Sequence, residues 1–99
     1  NDVVLTPALA LPPRPVGWYD QEDGHRNFVQ QCAFSPYTSM VNVAGLPALT
    51  LPLAVTDDGV PMGVQLIGRP GGEATLFSLA SQLERVGGKV SAQRPERWR

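Results

Sequence analysis

The sequence is poor in the residues that most often carry chemistry. It contains one cysteine and one histidine among 99 residues, and Lys89 is its only lysine. A single cysteine excludes an internal disulfide, and this favours a reducing, cytoplasmic setting. His25 and Cys32 together supply too few ligands for a structural zinc site. We therefore expect neither a bound metal nor another cofactor.

The chain also has a small net charge and no long apolar run. The formal net charge is -1, with 8 Lys and Arg against 9 Asp and Glu, so no strong field draws the chain to nucleic acid or to an anionic membrane. No apolar run approaches the roughly 18 residues that span a bilayer, and no secretory signal is present. The missing initiator Met suggests that Asn1 is not a natural start. We expect a cytoplasmic protein with neither nucleic-acid nor membrane partners.

The first third of the chain is dominated by proline. Residues Asp2 to Leu5 form a consecutive apolar run that predicts a short buried strand, which Pro7 ends. The prolines between Ala8 and Tyr19 predict a surface loop. The segment from Gln21 to Phe34 is compatible with a helix, although Gly24 and its polar neighbours weaken that interpretation.

A short helix is predicted next. Ser35 is a favoured N-cap residue, and Pro36 follows it at the first helical position, where a missing N–H costs nothing. Apolar side chains then recur at helical spacing, and Gly45 is typical of the left-handed residue that ends a helix. The apolar face comprises Tyr37, Met40, Val41 and Ala44.

The clearest pattern is a β-hairpin. Large and small side chains alternate from Leu49 to Val55, and a turn at residues 56 to 59 leads to a second strand from Pro61 to Gly68. Pro52 interrupts the first strand, because proline cannot donate a ladder hydrogen bond. The interruption requires an edge, a bulge or a ligand at that point.

The last regular element is a helix from Glu73 to about Val86, which Gly87 and Gly88 are expected to end. Residues 87–99 are predicted to form a solvated tail. The order strand, helix, hairpin, helix predicts a mixed α/β fold, with a partial sheet that carries the hairpin and flanking helices. So few strands indicate an incomplete domain.

No set of side chains indicates a catalytic site. We expect His25 to be an exposed loop residue and Cys32 to be a buried, inert thiol. Asp57 and Asp58 are explained by the geometry of the hairpin turn. The glycines of residues 68–72 precede a helix, as in a phosphate cradle, but they lack the Lys-Ser/Thr ending of a P-loop, so a simple turn from strand to helix is favoured.

Three blocks of the sequence resemble the C-terminal region of the amidase signature family. They are NVAGLPALTLPL at 42–53, DGVPMGVQLIG at 58–68 and EATL at 73–76, and DVVLTP at 2–7 resembles an earlier strand and Thr-Pro turn of that family. The spacing of the blocks agrees as well, so the resemblance covers most of residues 2–86. It implies that residues 1–99 are the incomplete C-terminal portion of an α/β/α domain, whose hairpin extends a large mixed sheet.

The resemblance also implies a function. Members of the family cleave or transfer carboxamides with a serine nucleophile, a cis-peptide serine and a lysine base, and these lie in the N-terminal and central parts of the domain. No residue of this chain corresponds to them, so we expect the chain alone to be inactive. Its partners would be the missing N-terminal part of the domain and, in the parent protein, a small amide substrate. The residues implied to line the substrate pocket are Thr6, Pro7, Thr38 and Val41.

Two other functions remain open. The chain is also compatible with a free-standing, non-catalytic interaction module that binds through an open sheet edge. Alternatively, the parent is the amidase subunit of a glutamine-dependent tRNA amidotransferase. In each case the uncovered strands and helix faces predict that the isolated chain self-associates.

Overall fold

A computed structural model describes residues 2–91 of the chain. It consists of a three-stranded sheet, with two helices between the first and second strands and one helix after the third. The elements are β1 (Val3–Pro7), α1 (Gly24–Phe34), α2 (Ser39–Ala44), β2 (Ala48–Val55), β3 (Pro61–Gly68) and α3 (Glu73–Ser91). The expected mixed α/β class is confirmed, and in the described part of the chain the strands pair antiparallel in the order β1-β3-β2.

The hairpin of β2 and β3 forms as predicted. Leu49 pairs with Leu66, and the pairing extends to Val55 and Pro61 beside the turn, with one shift in register on the way. Gly59 adopts a φ of 84° in that turn, a conformation that glycine reaches without steric cost. The hydroxyl of Thr56 accepts a hydrogen bond from the Val60 N–H at 3.0 Å and closes the loop.

Pro52 lies at both an edge and an irregularity. Among the described strands β2 pairs only with β3, so it is an edge strand of this sheet, and the pairing register shifts between Pro52 and Ala54. Two of the three possibilities left open by the sequence therefore hold at one position. The shift removes the need for a ladder donor at the proline.

The core lies between the hairpin and α3. Leu66 and Leu76 are almost fully buried, with Leu51 and Ala80 beside them. Leu76 and Ala80 are four residues apart on α3, and this places them on one helical face as the sequence predicts. The partly buried residues around this cluster are Val3, Leu49, Leu53, Val64, Leu79 and Leu83.

The prediction that the first strand is buried is wrong. Val4 is 53% and Leu5 is 62% exposed, because β1 lies at the second edge of the sheet and α3 packs on β2 and β3. The strand itself is present and ends at Pro7, and the loop that follows has no helix or strand before Gly24. The consecutive apolar residues predicted a strand that is covered on both faces, but the described residues leave β1 largely uncovered.

Two helix boundaries differ from the prediction. Ser35 is the C-cap of α1 rather than an N-cap, and its N–H donates to the Gln31 carbonyl at 3.0 Å. A turn follows, so α2 begins at Ser39 and ends at Gly45, which is left-handed as expected. α3 continues beyond Gly87 to Ser91, so the predicted stop at Gly87 and Gly88 is wrong, while the solvated tail from residue 87 stays a prediction. Residues 92–99 of that tail lie outside the described residues.

Candidate functional site

A buried glutamine links three parts of the chain on the sheet face opposite α3. Gln65 is 4% exposed. Its Nε2 donates to Thr6 Oγ1 at 3.1 Å and to the Tyr37 carbonyl at 2.9 Å. The side chain thus connects β3, β1 and the turn before α2.

The strand register explains this arrangement. Thr6 pairs with Gln65 on one side, and Thr50 pairs with it on the other. Side chains of directly paired residues project from the same face of a sheet, and neighbouring residues alternate between faces. A row of three polar side chains therefore crosses the sheet on one face, while Leu66 packs against α3 on the other.

The hydroxyl of Thr6 takes part in two hydrogen bonds. It accepts the hydrogen bond from Gln65 and donates to the Pro7 carbonyl at 2.9 Å. A hydroxyl with both roles filled is held in one orientation. Within this chain Thr6 is therefore an anchored side chain rather than an activated nucleophile.

An open hollow of about 370 Å³ lies beside this row. Thr38 and Val41 of the α2 region border it on one side, and Thr50 and Gln65 of the sheet border it on the other. Val41 is buried, at 5% exposed. The hollow combines hydroxyl, amide and aliphatic groups, which suits the binding of a small polar molecule.

A larger groove of about 610 Å³ runs between the start of β1 and α3, where it is lined mainly by small and hydroxyl side chains of the helix. Its one ionisable lining residue is Asp2, whose side chain is largely exposed. Volume alone does not indicate a site, because a functional pocket needs converging polar groups. We therefore place the candidate site at the hollow beside Gln65.

The four residues implied to line a pocket are only partly brought together. Thr38 and Val41 border the hollow, and Thr6 is joined to it through Gln65. Pro7 pairs with Val64, so its ring lies on the opposite face from Thr6. Their role as pocket lining stays a prediction.

Sequence reasoning did not single out Gln65. The signal was present, since it is the one polar side chain in the run from Met62 to Ile67. A polar residue inside an apolar strand requires a hydrogen-bonding partner when it is buried. Those partners, at positions 6 and 37, are distant in sequence and could not be inferred from the strand alone.

The remaining reactive side chains do not join this site. His25 is exposed, as predicted, but it lies in the first turn of α1 rather than in a loop. The prediction that Cys32 is buried is wrong, since its thiol is exposed on α1. Among residues 2–91 no cluster of His, Cys, Asp and Glu is large enough to hold a metal ion. Nor does any helix in that range have the length and apolar character needed to cross a bilayer.

One carboxyl group has a shifted pKa, at a site away from the hollow. The pKa of Asp20 is lowered because the N–H groups of Asp23 and Glu22 donate to its carboxylate, and Arg26 adds an attraction. These contacts fold the chain into the start of α1. They stabilise local structure and supply no acid or base to the hollow.

The described residues can thus shape and orient a bound group, but they do not pair a nucleophile with a base. The family model described as Amidase matches residues 1–77. The chain belongs to the amidase family.

Relatives within the amidase family share the sequence over nearly the whole chain. One of the subunits of glutamyl-tRNA(Gln) amidotransferase from Methylocella silvestris is 41% identical over 97 residues, which cover 98% of this chain and 18% of that protein. AmiB2 of Mycobacterium tuberculosis, provisionally named as an amidase, is 41% identical over 83 residues, covering 84% of this chain and 18% of its own length. The chain therefore spans less than a fifth of these relatives.

A solved hydrolase structure shows the same fold. The 6-aminohexanoate cyclic dimer hydrolase superposes with a TM-score of 0.73 and 30% sequence identity, over 99% of this chain and 22% of that chain. The same hydrolase complexed with substrate gives a TM-score of 0.72. The arrangement of β1, the hairpin and the helices is therefore the one found in a limited part of that hydrolase.

Proposed function

We propose that the chain is the C-terminal part of an amide hydrolase that converts a carboxamide into a carboxylate and ammonia or an amine. One observation carries this proposal: the family match spans residues 1–77, yet the chain covers only 18% of its relatives. In this proposal a serine, a cis-peptide serine and a lysine in the rest of the domain cleave the bond. The chain itself supplies no catalytic residue.

The proposed role of this part is to form one wall of the substrate pocket. Thr38 and Val41 border the hollow, and Thr6 is fixed beside it by Gln65. We keep Pro7 in the proposed lining through its carbonyl, which holds the Thr6 hydroxyl. A rigid wall of this kind orients a substrate without taking part in bond cleavage.

The test compares the 99-residue chain with the complete gene product that contains it. Ammonia release is measured from a panel of carboxamides. We expect turnover by the complete product and none by the chain alone. Turnover by the isolated chain contradicts the assignment of catalysis to residues outside it. A complete gene product of about this length without activity favours the alternative of a non-catalytic interaction module.

A second candidate is the amidase subunit of a tRNA-dependent amidotransferase. The relatives from Methylocella silvestris and Xanthobacter autotrophicus, at 41% and 39% identity, are named as parts of such an enzyme. In this proposal glutamine is the amide donor. Ammonia release from glutamine that increases when glutamyl-tRNA and the partner subunits are added supports this candidate, whereas release from other amides without them supports a simple amidase.

Two further proposals concern the state of the protein. We infer that the isolated chain self-associates, since large apolar side chains such as Leu5 and Phe77 are exposed on it. We also infer a cytoplasmic location, because the one cysteine is an exposed free thiol that an oxidising compartment would leave open to modification. Sedimentation of the chain and cell fractionation of the gene product test these two inferences.

A further inference from the structure

The amide oxygen of Gln65 has no hydrogen-bond donor among the side chains of residues 2–87 or the backbone of residues 2–91. Both hydrogen bonds of this side chain are made by Nε2, to Thr6 Oγ1 and to the Tyr37 carbonyl. The residue is nevertheless 4% exposed. A buried acceptor without a donor is costly and uncommon in native proteins. The oxygen therefore requires a donor from outside this part of the chain.

The orientation of the Gln65 amide follows from its two partners. Nε2 carries two hydrogens, and each of them has an acceptor. The reversed amide would place its oxygen against the Tyr37 carbonyl, so that two acceptors would face each other. The oxygen is thus the atom of this amide that is left without a partner.

The hollow beside Gln65 has space for a donor. Its volume of about 370 Å³ falls within the range of roughly 300–1,000 Å³ that is usual for small-molecule sites. Thr38, Asn42 and Thr50 also border it. A small molecule with at least one hydrogen-bond donor matches both the size and the polarity of this space.

We propose that the Gln65 oxygen accepts a hydrogen bond from an N–H or O–H group on the non-reacting part of the amide substrate. This inference rests on the proposed function. The described residues hold no nucleophile paired with a base, so the scissile amide faces groups outside the chain and the hollow receives the remainder of the substrate. Gln65 is then a specificity-determining residue, since contacts with remote substrate groups contribute to selection.

The experiment uses the complete gene product and primary amides, in which the non-reacting part is the acyl chain. The amides form a series of increasing chain length, in matched pairs that end in a hydroxyl or in a methyl group. We expect a higher kcat/KM for the hydroxyl member at one chain length. In Gln65→Met this preference falls by about threefold to tenfold, the effect of one neutral hydrogen bond.

The ratio between paired substrates separates specificity from general damage, because a distorted fold lowers kcat/KM for both members alike. Thr6→Val removes one partner of Nε2 and lowers kcat/KM for both members without changing their ratio. Gln65→Leu is the second apolar variant and replaces Gln65→Met if that protein does not fold.

Two results overturn the inference. The first is a preference that persists in the apolar Gln65 variant. The second is turnover by the unaltered protein with no preference for a hydroxyl at any chain length. Failure of the unaltered protein to release ammonia from any amide instead overturns the proposed function, and this inference with it.

Discussion

Gly63 illustrates how single residues set the spacing on the polar face of the sheet. A Cβ added there would lie 2.8 Å from Thr50 Cγ2 and 3.2 Å from Ala8 Cβ. The Ala8 N–H also donates to the Gly63 carbonyl at 3.1 Å. The strand and the segment after β1 therefore meet at a position where only a hydrogen atom fits.

Replacing this glycine tests the close contact. Gly63→Ala is expected to reduce the free energy of unfolding of the complete gene product by about 1–3 kcal/mol, as for overpacking in other cores. Urea denaturation measures the change. Gly24→Ala is the matched control, since no atom lies within 4 Å of its added Cβ and alanine is up to about 1 kcal/mol more favourable in a helix. Equal stability of Gly63→Ala and the unaltered protein contradicts the packing argument.

Asp20 gives the protein a local response to acid. Its pKa is lowered mainly by the hydrogen bonds from the N–H groups of Asp23 and Glu22. A carboxyl with a lowered folded pKa stabilises the fold at pH values above its unfolded pKa, which is about 3.9. This contribution is lost as the pH falls through the folded value.

We therefore expect the segment around Trp18 to loosen below about pH 4. Trp18 lies against Tyr19, with ring centroids 5.0 Å apart, so its fluorescence reports the change in a Trp98→Phe background. Asp20→Asn should remove much of this acid response. Asp57→Asn, at the hairpin turn, should leave it unchanged. An identical response in the Asp20 variant would show that another group controls it.

For individual residues, the sequence predicted some positions correctly and missed others. The sequence identified Thr38 and Val41, which border the hollow, through the family resemblance. It missed Gln65, because the role of a buried amide depends on hydrogen-bonding partners that lie far away in sequence and are brought close only by the fold. It also placed Cys32 inside, since an apolar helical face was taken to be covered, whereas in the described residues Phe28 and Val29 on that helix are exposed as well.

Among the secondary-structure elements, α2 is the one that positions the hollow. It is short, and its end depends on Gly45, which has a φ of 66°. The N–H of Leu46 donates to the Val41 carbonyl at 3.2 Å, which closes the helix. The direction in which the chain leaves α2 sets the place where β2 begins.

A substitution at this helix end should therefore affect both stability and the site. Gly45→Ala is expected to lower the free energy of unfolding by about 1–2 kcal/mol, because its Cβ disfavours the left-handed region. No atom lies within 4 Å of that Cβ, so the loss measures backbone strain alone. Gly45→Asn should lose less, since asparagine tolerates this region better. Similar losses for alanine and asparagine would point to packing instead.

Predictability differs among the elements for physical reasons. The predictions of the hairpin and of the core face of α3 were correct, because a strong period in the apolar pattern reflects burial of one side of the element. The predicted end of α3 was wrong because tertiary packing overrides the local preference of glycine to end a helix. A Cβ at Gly87 would lie 3.4 Å from Leu53 Cδ2, so the helix continues where it packs closely on β2. Ser35 was misassigned because the serine instead ends α1.

At the level of the whole molecule, the sheet formed by the described residues has two open edges and one partly uncovered face. Within residues 2–91, β1 and β2 each pair only with β3, and Val4, Leu5 and Phe77 are more than half exposed. Open edges and exposed apolar groups of this kind favour association with another chain or domain. This exposed apolar surface is what an incomplete domain would leave uncovered, and the incompleteness of the domain stays a prediction.

The isolated 99-residue chain should therefore sediment as an oligomer. Val4→Lys combined with Leu5→Lys is expected to shift it toward the monomer, because charge on an edge strand opposes pairing. Val16→Lys is the control, since Val16 lies fully exposed in the loop and away from the sheet. A monomeric chain that unfolds cooperatively at a high midpoint would contradict the expectation.

The position of β1 in the sequence also affects how the chain folds while the ribosome synthesises it. Its partner β3 lies far along the chain: Thr6 and Gln65 are separated by 59 positions. At a translation rate of about 5–20 residues per second, the emerging strand waits roughly 3–12 seconds for that partner. During this interval Val4 and Leu5 lack the strand with which they pair in the folded chain, so their apolar side chains are open to non-native contacts.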